Sequence, residues 1–226
     1  MQTSVIKTFA RRVGKGFSAS KKNAISNILP KFKVDINNLT KNAENPDKII
    51  LEIGIGMSEH FINQAKINQQ NYYIGAEPYL NGIANCIQIA SSEGVNNIGL
   101  WPDSADDILE LARPETFDII YLLFPDPWPK QRQQKRRFGS FDRIEKIKKL
   151  LKNNGHFIFA SDIAEYFTSI KQLAQKAGMK EVIRDENTPH DGYVTTRFHQ
   201  KAIKEGRNAL FSIWHKIGAD YSGKYL

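Results

Sequence analysis

Seven short apolar runs, rich in β-branched and aromatic residues, recur from Lys48 onward: KIILEIG, YYIGAE, NIGLW, FDIIYLLF, HFIFASD, MKEVIRD and ALFSIWHKI. Most are separated by stretches with helical spacing. This alternation constrains the fold more than any other feature, because strands buried on both faces and joined through helices make a parallel sheet with crossovers. The first linker offers Ser58 as an N-cap for a helix reaching Asn68, with Phe61, Ile62 and Ala65 at helical spacing. Tyr79 to Ser92 and DDILELA read as the next helices. SFDRIEKIKKLL carries Ile144, Ile147, Leu150 and Leu151 on one face, with Gly155 closing it after two asparagines. AEYFTSIKQLAQKAG ends at Gly178, and the last two runs are separated by a polar loop holding TTRFHQKAIKEG.

A chain of 226 residues suits one substantial α/β domain, expected over residues 48–226. Residues 1–47 read as a basic N-terminal arm, solvated and in part disordered; the first 34 residues hold no Asp or Glu. That leader has the composition of a transit peptide, but it lacks the apolar segment of a secretion signal. The formal net charge of +8 points to an anionic partner. Cys86 is the only cysteine, so no intramolecular disulfide can form and a reducing compartment is expected. The apolar runs fall short of the ~18 residues that a membrane helix needs.

The fourth run stops at Pro125, and the chain passes from core to charge within twenty residues: FDIIYLLFPDPWPKQRQQKRR. Asp126 and Trp128 alternate with three prolines that stiffen the backbone, at the end of a strand where open α/β sheets bind ligands. Lys130, Arg132, Lys135, Arg136 and Arg137 follow, with no acid between Asp126 and Asp142. Together with the basic arm they form two patches able to track a phosphate backbone.

Strand one leads into Glu52, Gly54 and Gly56, a glycine pair where backbone can approach a ligand closely. A dinucleotide fingerprint would place a third small residue where Glu59 stands, and a carboxylate at a helix start opposes a pyrophosphate. A nucleoside ligand without phosphates fits better. Glu77 ends strand two, suited to the hydroxyls of a ribose, and Asp103 follows strand three, suited to an adenine amino group. The five histidines show no metal-ligand spacing, and His60 and His215 read as ordinary structural residues. No Gly-x-Ser-x-Gly elbow supports a hydrolase.

EIGIG, Glu77, Asp103, FPDPWPK with its RQQKRR tail, Asp162 and the late TRF together resemble the bacterial tRNA (guanine-N7-)-methyltransferases, from the basic arm to the last strand. The resemblance implies a Rossmann-like class I methyltransferase fold, with a mostly parallel seven-stranded sheet, an antiparallel last strand and helices on both faces. It implies transfer of a methyl group from S-adenosylmethionine to guanine N7 in the tRNA variable loop, with S-adenosylhomocysteine as product and no metal. Glu52, Glu77, Asp103 and Asp126 correspond to the family's contacts with the methyl donor, Asp126 also to its active site. Lys130 and Asp162 correspond to substrate contacts, Arg132 to Arg137 to the RNA-interacting segment, and Thr196, Arg197, Phe198 and His199 to a late substrate motif. The last place of that motif is usually Glu, which sets His199 apart. The implied partner is tRNA, not membrane or DNA, in the cytoplasm, and the resemblance favours RNA contact over a transit peptide for the arm. Oligomeric state stays open between monomer and homodimer.

Guanine N7 carries a lone pair and no proton, so its methylation needs alignment more than a base. Asp126 is the candidate for stabilising charge on the purine, and Trp128 for stacking on the base. Two other readings stand beside this one. The first is a non-catalytic RNA-binding protein, against which the intact glycine turn and acids speak. The second is an exocyclic-amine methyltransferase, whose Asp-Pro-Pro-aromatic loop FPDPW matches only in part.

Overall fold

The computed structural model describes Arg12, residues 16–182 and residues 185–217. Within them one sheet holds β1 (Ile49–Ile53), β2 (Tyr72–Ala76), β3 (Ile98–Trp101), β4 (Phe117–Leu123), β5 (Leu151–Ser161), β6 (Lys180–Val182) and β7 (Leu210–His215). The spatial order is β3-β2-β1-β4-β5-β7-β6. Strands β1 to β5 pair in parallel, while β7 is antiparallel to both β5 and β6. The expected antiparallel last strand is thus present. Strand order reverses between β1 and β4, which opens a crevice beyond the carboxyl ends of the strands.

Alternation along each strand feeds two cores. Leu51, Ile53, Ile120, Leu122, Phe157 and Phe159 face one cluster. There they meet α5 (Ala105–Leu111), α6 (Phe141–Leu150) and α7 (Ala164–Lys176). Ile50, Tyr121, Leu123, Ile158 and Ala160 face the other, against α3 (Glu59–Ile67) and α4 (Leu80–Glu93). Helices therefore cover both faces, as the near-continuous apolar character of the strands requires.

The described part of the leader is built into this framework. Ala19–Asn23 (α1), a π-helical turn over Ala24–Ile28 and Leu29–Phe32 (α2) run across α4, burying Ala24 and Leu29. Val34 is also buried, and its N–H donates to Leu100 O at 3.1 Å, so the segment covers the edge of β3. The leading residues 1–11 and 13–15 of the arm lie outside the described residues.

Three local expectations change, and a fourth run is described in part. Ser58 is no side-chain cap: it adopts a left-handed backbone (φ 68°) and its hydroxyl donates to Met57 O. α6 ends at Leu150, because Leu151 already pairs with Phe117; a register shift after Phe117 absorbs the asparagines, and Gly155 lies within β5. The segment TTRFHQKAIKEG is not a loop but holds α8 (Arg197–Lys204), capped by Thr196, whose hydroxyl accepts from His199 N–H. MKEVIRD contributes Lys180–Val182 to the sheet, and its Ile183 and Arg184 lie outside the described residues. Among the described residues, no helix is long and apolar enough to cross a membrane.

Candidate active site

The acids singled out from sequence sit in or just beyond the carboxyl ends of successive parallel strands: Glu52 in β1, then Glu77, Asp103, Asp126 and Asp162 after β2 to β5. After β1 the chain turns through Gly54 and Gly56 at φ 78° and 55°, in the left-handed region that glycine enters without strain. Gly56 N–H donates to Glu77 Oε2 and Tyr79 N–H to Glu77 Oε1, each at 2.8 Å. Both oxygens are thereby fixed, and each keeps a lone pair. Burial pushes the Glu77 carboxyl above the ordinary range against these two donors, and the charge of Asp126 adds to the rise. Gly82 of α4 packs on the turn so closely that a Cβ there would lie 2.1 Å from Gly56 O.

Beyond β4, Phe124 and Trp128 both have positive φ, 50° and 38°, which costs a non-glycine residue on the order of 1–3 kcal/mol each. Surrounding contacts hold that strain. The Phe124 ring stacks on His199 (5.4 Å) and meets Phe211 edge-on (6.2 Å). The Trp128 ring carries the Arg136 guanidinium 5.0 Å from its centre. Arg137 is buried; its Nε donates to Pro127 O at 2.7 Å and its fork grips Glu165. The guanidinium also lies over Tyr166, whose hydroxyl accepts from Gly139 N–H. Asp126 is open to solvent as a residue, yet desolvation by the loop raises its carboxyl above the usual range.

The remaining sequence candidates divide. Lys130, Arg132 and Lys135 are exposed around a 3-10 turn (Gln131–Arg136). Asp103 accepts from Arg12 Nη1 at 2.9 Å and from Ser104 N–H. Asp162 accepts from Arg207 Nε at 2.8 Å. In the late motif Thr196 caps α8, Arg197 pairs with Glu59 (2.9 Å), and Phe198 leans over Gly56. His199 contacts the Tyr193 hydroxyl through Nδ1 (2.9 Å), and burial lowers its pKa. A neutral ring wedged beside Phe124 cannot reproduce the charge of the usual Glu.

A cavity of about 330 Å³ joins these parts, lined among others by Gly56, Glu77, Asp126, Trp128, Arg143 and Phe198. Its chemistry fits the donor molecule that the resemblance implies. The Gly56 amide, which would cradle a phosphate, is occupied by Glu77, so the turn presents a carboxylate to hydroxyl-bearing or cationic groups. Among the described residues, no group of three or more His, Cys, Asp or Glu could hold a metal ion.

Sequence reasoning missed Arg143, whose fork holds Asp106 at 2.6 and 2.7 Å while Nη1 donates to the carbonyls of Arg137 and Phe138. On a helix read as apolar on one face and charged on the other, nothing marked that arginine as buried. It missed Gly82 too, because a glycine inside an apolar-periodic helix signals its neighbour only once the fold is known.

A family model described as "Putative methyltransferase" matches residues 46–211. The bifunctional methyltransferase of Rickettsia conorii is 42% identical over 217 residues, which is 95% of this chain and 41% of that protein. This chain therefore spans about two-fifths of the length of such bifunctional relatives. The tRNA (guanine-N(7)-)-methyltransferase of Rhizobium johnstonii is 33% identical over 219 residues, covering 92% of this chain and 94% of that one. Among solved structures, the 16S rRNA methyltransferase KamB superposes with a TM-score of 0.62 at 11% identity, over 82% of this chain and 95% of that one. At that identity the likeness is one of fold.

Proposed function

We propose a function from one premise: this chain belongs to the tRNA (guanine-N(7)-)-methyltransferase family. The proposed activity is methylation of N7 of a guanine in the variable loop of tRNA, with S-adenosylmethionine as donor and 7-methylguanine and S-adenosylhomocysteine as products. One observation carries the reading: the cavity at the β1/β4 switch point is bounded by a carboxylate, an indole and, just beyond, exposed basic side chains. A ligand pocket and a polyanion track thus share one rim.

When bound, S-adenosylmethionine supplies an electrophilic sulfonium methyl. The residues of the chain then need only bind, orient and exclude water. Glu77, held by two backbone amides, offers its free lone pairs to ribose hydroxyls, and Asp103 faces the adenine amino group. Glu52 receives the donor's ammonium. Asp126 accepts from N1–H and the exocyclic amine of guanine and offsets the positive charge that develops on the ring. Trp128 stacks on the extruded base, whose exposure costs on the order of a few kcal/mol. Lys130, Arg132, Lys135 and Arg136 face phosphates, with the basic leader tracking further along the RNA. Arg137 is assigned instead to clamping the loop, since its guanidinium is buried on Glu165 and Pro127. Asp162, Thr196, Arg197 and Phe198 shape the substrate side of the rim, with His199 a wedge behind it. Action on tRNA sets the enzyme in the cytoplasm.

The test is incubation with methyl-labelled S-adenosylmethionine and unmodified tRNA, followed by digestion to nucleosides. Labelled 7-methylguanosine is expected. Its absence with every tRNA tried, or label on an exocyclic amine, overturns the proposal.

A further inference from the structure

Behind the glycine turn, three buried groups from distant parts of the chain meet. Glu52 of β1 is 4% exposed, His60 of α3 is 1% exposed, and His190 of the loop preceding α8 is 6% exposed. His60 Nδ1 lies 2.7 Å from Glu52 Oε2, and His60 Nε2 lies 2.9 Å from His190 Nε2. A nitrogen-to-nitrogen contact at that distance holds one proton, so one ring donates and the other accepts. In the tautomer where His60 Nδ1–H donates to the carboxylate and Nε2 accepts, His190 Nε2–H is the donor. Aromatic rings wall the pair: Tyr121 lies 4.9 Å from His60 and 5.0 Å from His190, and Tyr193 lies 5.4 Å from His190. The charge of Glu52 also reaches Tyr73, Cys86 and Glu77.

At its other end the relay reaches the segment that covers the site. The His190 loop is tied to α3 a second time, where Gln64 Nε2 donates to Gly192 O at 2.7 Å. It then runs into Thr196 and α8, whose Phe198 overhangs Gly56. Between α8 and the turn lies a further cavity of about 220 Å³, lined by Glu52, Gly54, Glu59, Arg197 and Phe198 among others. Glu52 thus presents itself to a ligand space on one side and to two imidazoles on the other.

We propose that His60 and His190 are positioning residues for methyl-donor binding: through a two-imidazole relay they fix the rotamer of Glu52 and seat the α8 segment over the donor. This rests on the reading of the site as an S-adenosylmethionine pocket. In a low-dielectric pocket a carboxylate held by a single donor keeps its direction only while that donor keeps its own. His190 therefore acts on the ligand through His60, without touching it.

The full chain is titrated calorimetrically with S-adenosylhomocysteine, and tRNA affinity and melting temperature are measured beside it. His190→Gln keeps an N–H near the Nε2 position and should bind within about twofold of the wild type, whereas His190→Leu should bind about tenfold more weakly, a larger loss than its loss of tRNA affinity. His60→Asn keeps a donor for Glu52 but cuts the link, so adding His190→Leu to it should cost little more. Equal binding by His190→Leu and wild type overturns the relay, as does failure of His190→Gln to rescue, or full additivity in the double variant. If His190→Leu does not fold, the His190→Gln and His60→Asn titrations decide. A wild-type protein that binds no S-adenosylhomocysteine overturns the reading of the pocket, and the relay with it.

Discussion

Asp126 is held in a place that does not suit it as a carboxylate. Desolvation raises its pKa above the ordinary value, so the folded chain binds that proton more tightly than the unfolded chain does. Its contribution to stability is therefore complete at low pH and is lost as the pH rises above about 4, the unfolded carboxylate value. At neutral pH the ionised group opposes folding. Asp126→Asn should thus match or exceed the wild-type melting temperature near neutrality while turnover falls about 100-fold, the scale of removing one preorganised electrostatic group. Paired thermal melts and initial rates check this, and a variant that melts lower yet turns over normally contradicts it. Single residues also mark where sequence reading fails. In KQRQQKRR all five cations look alike, yet Arg132 is exposed and Arg137 is buried on a carboxylate and a carbonyl. Charge is written in the sequence; the partner 28 positions later that buries it is not.

The turn after β1 and helix α4 work as one unit, and the sign of a single substitution reveals it. Gly→Ala inside a helix normally stabilises by about 1 kcal/mol. At Gly82 the new methyl would sit 2.1 Å from Gly56 O, a backbone atom that cannot swing aside. Overpacking of this kind costs about 1–3 kcal/mol, enough to reverse the sign. Gly82→Ala should melt lower than the wild type and bind S-adenosylhomocysteine more than about tenfold weaker, because the displaced turn also carries the amide that fixes Glu77. An unchanged titration would show that the turn is indifferent to α4. Elements differ in how legible they are for a related reason. The strands declared themselves, since burial on both faces leaves continuous apolar runs. α8 did not: of its eight residues only Ala202 is buried, while Phe198 and Ile203 are half exposed, so its apolar positions do not mark a core-facing stripe. Its sequence signals were Thr196, a cap residue, and Phe198, Ala202 and Ile203 at helical spacing.

At the scale of the whole molecule, the sheet's switch point decides why, on the proposed function, one rim serves both a small cation and a polyanion. Acids accumulate at strand ends around the crevice, where Glu52, Glu77, Asp103 and Asp126 give it negative character. In a chain of net charge +8, Lys130, Arg132 and Lys135 are exposed beside that crevice. Removing one phosphate-binding cation should lower the slope of log affinity against log salt by about 0.7 to 0.9, whereas cations buried in the fold act on stability and not on that slope. Substituting Arg132 and Lys135 together by Ala should therefore flatten the salt dependence of tRNA binding by about 1.4 to 1.8 and leave the melting temperature unchanged. Arg137→Ala should do the reverse, melting lower because Pro127 O and Glu165 are deprived of their donor, while its slope stays that of the wild type. Binding measured across a salt series for both variants separates the two kinds of cation. A slope that falls equally in the two would mean that Arg137 leaves its clamp to meet the RNA, and that the loop carrying Asp126 and Trp128 is rebuilt on binding.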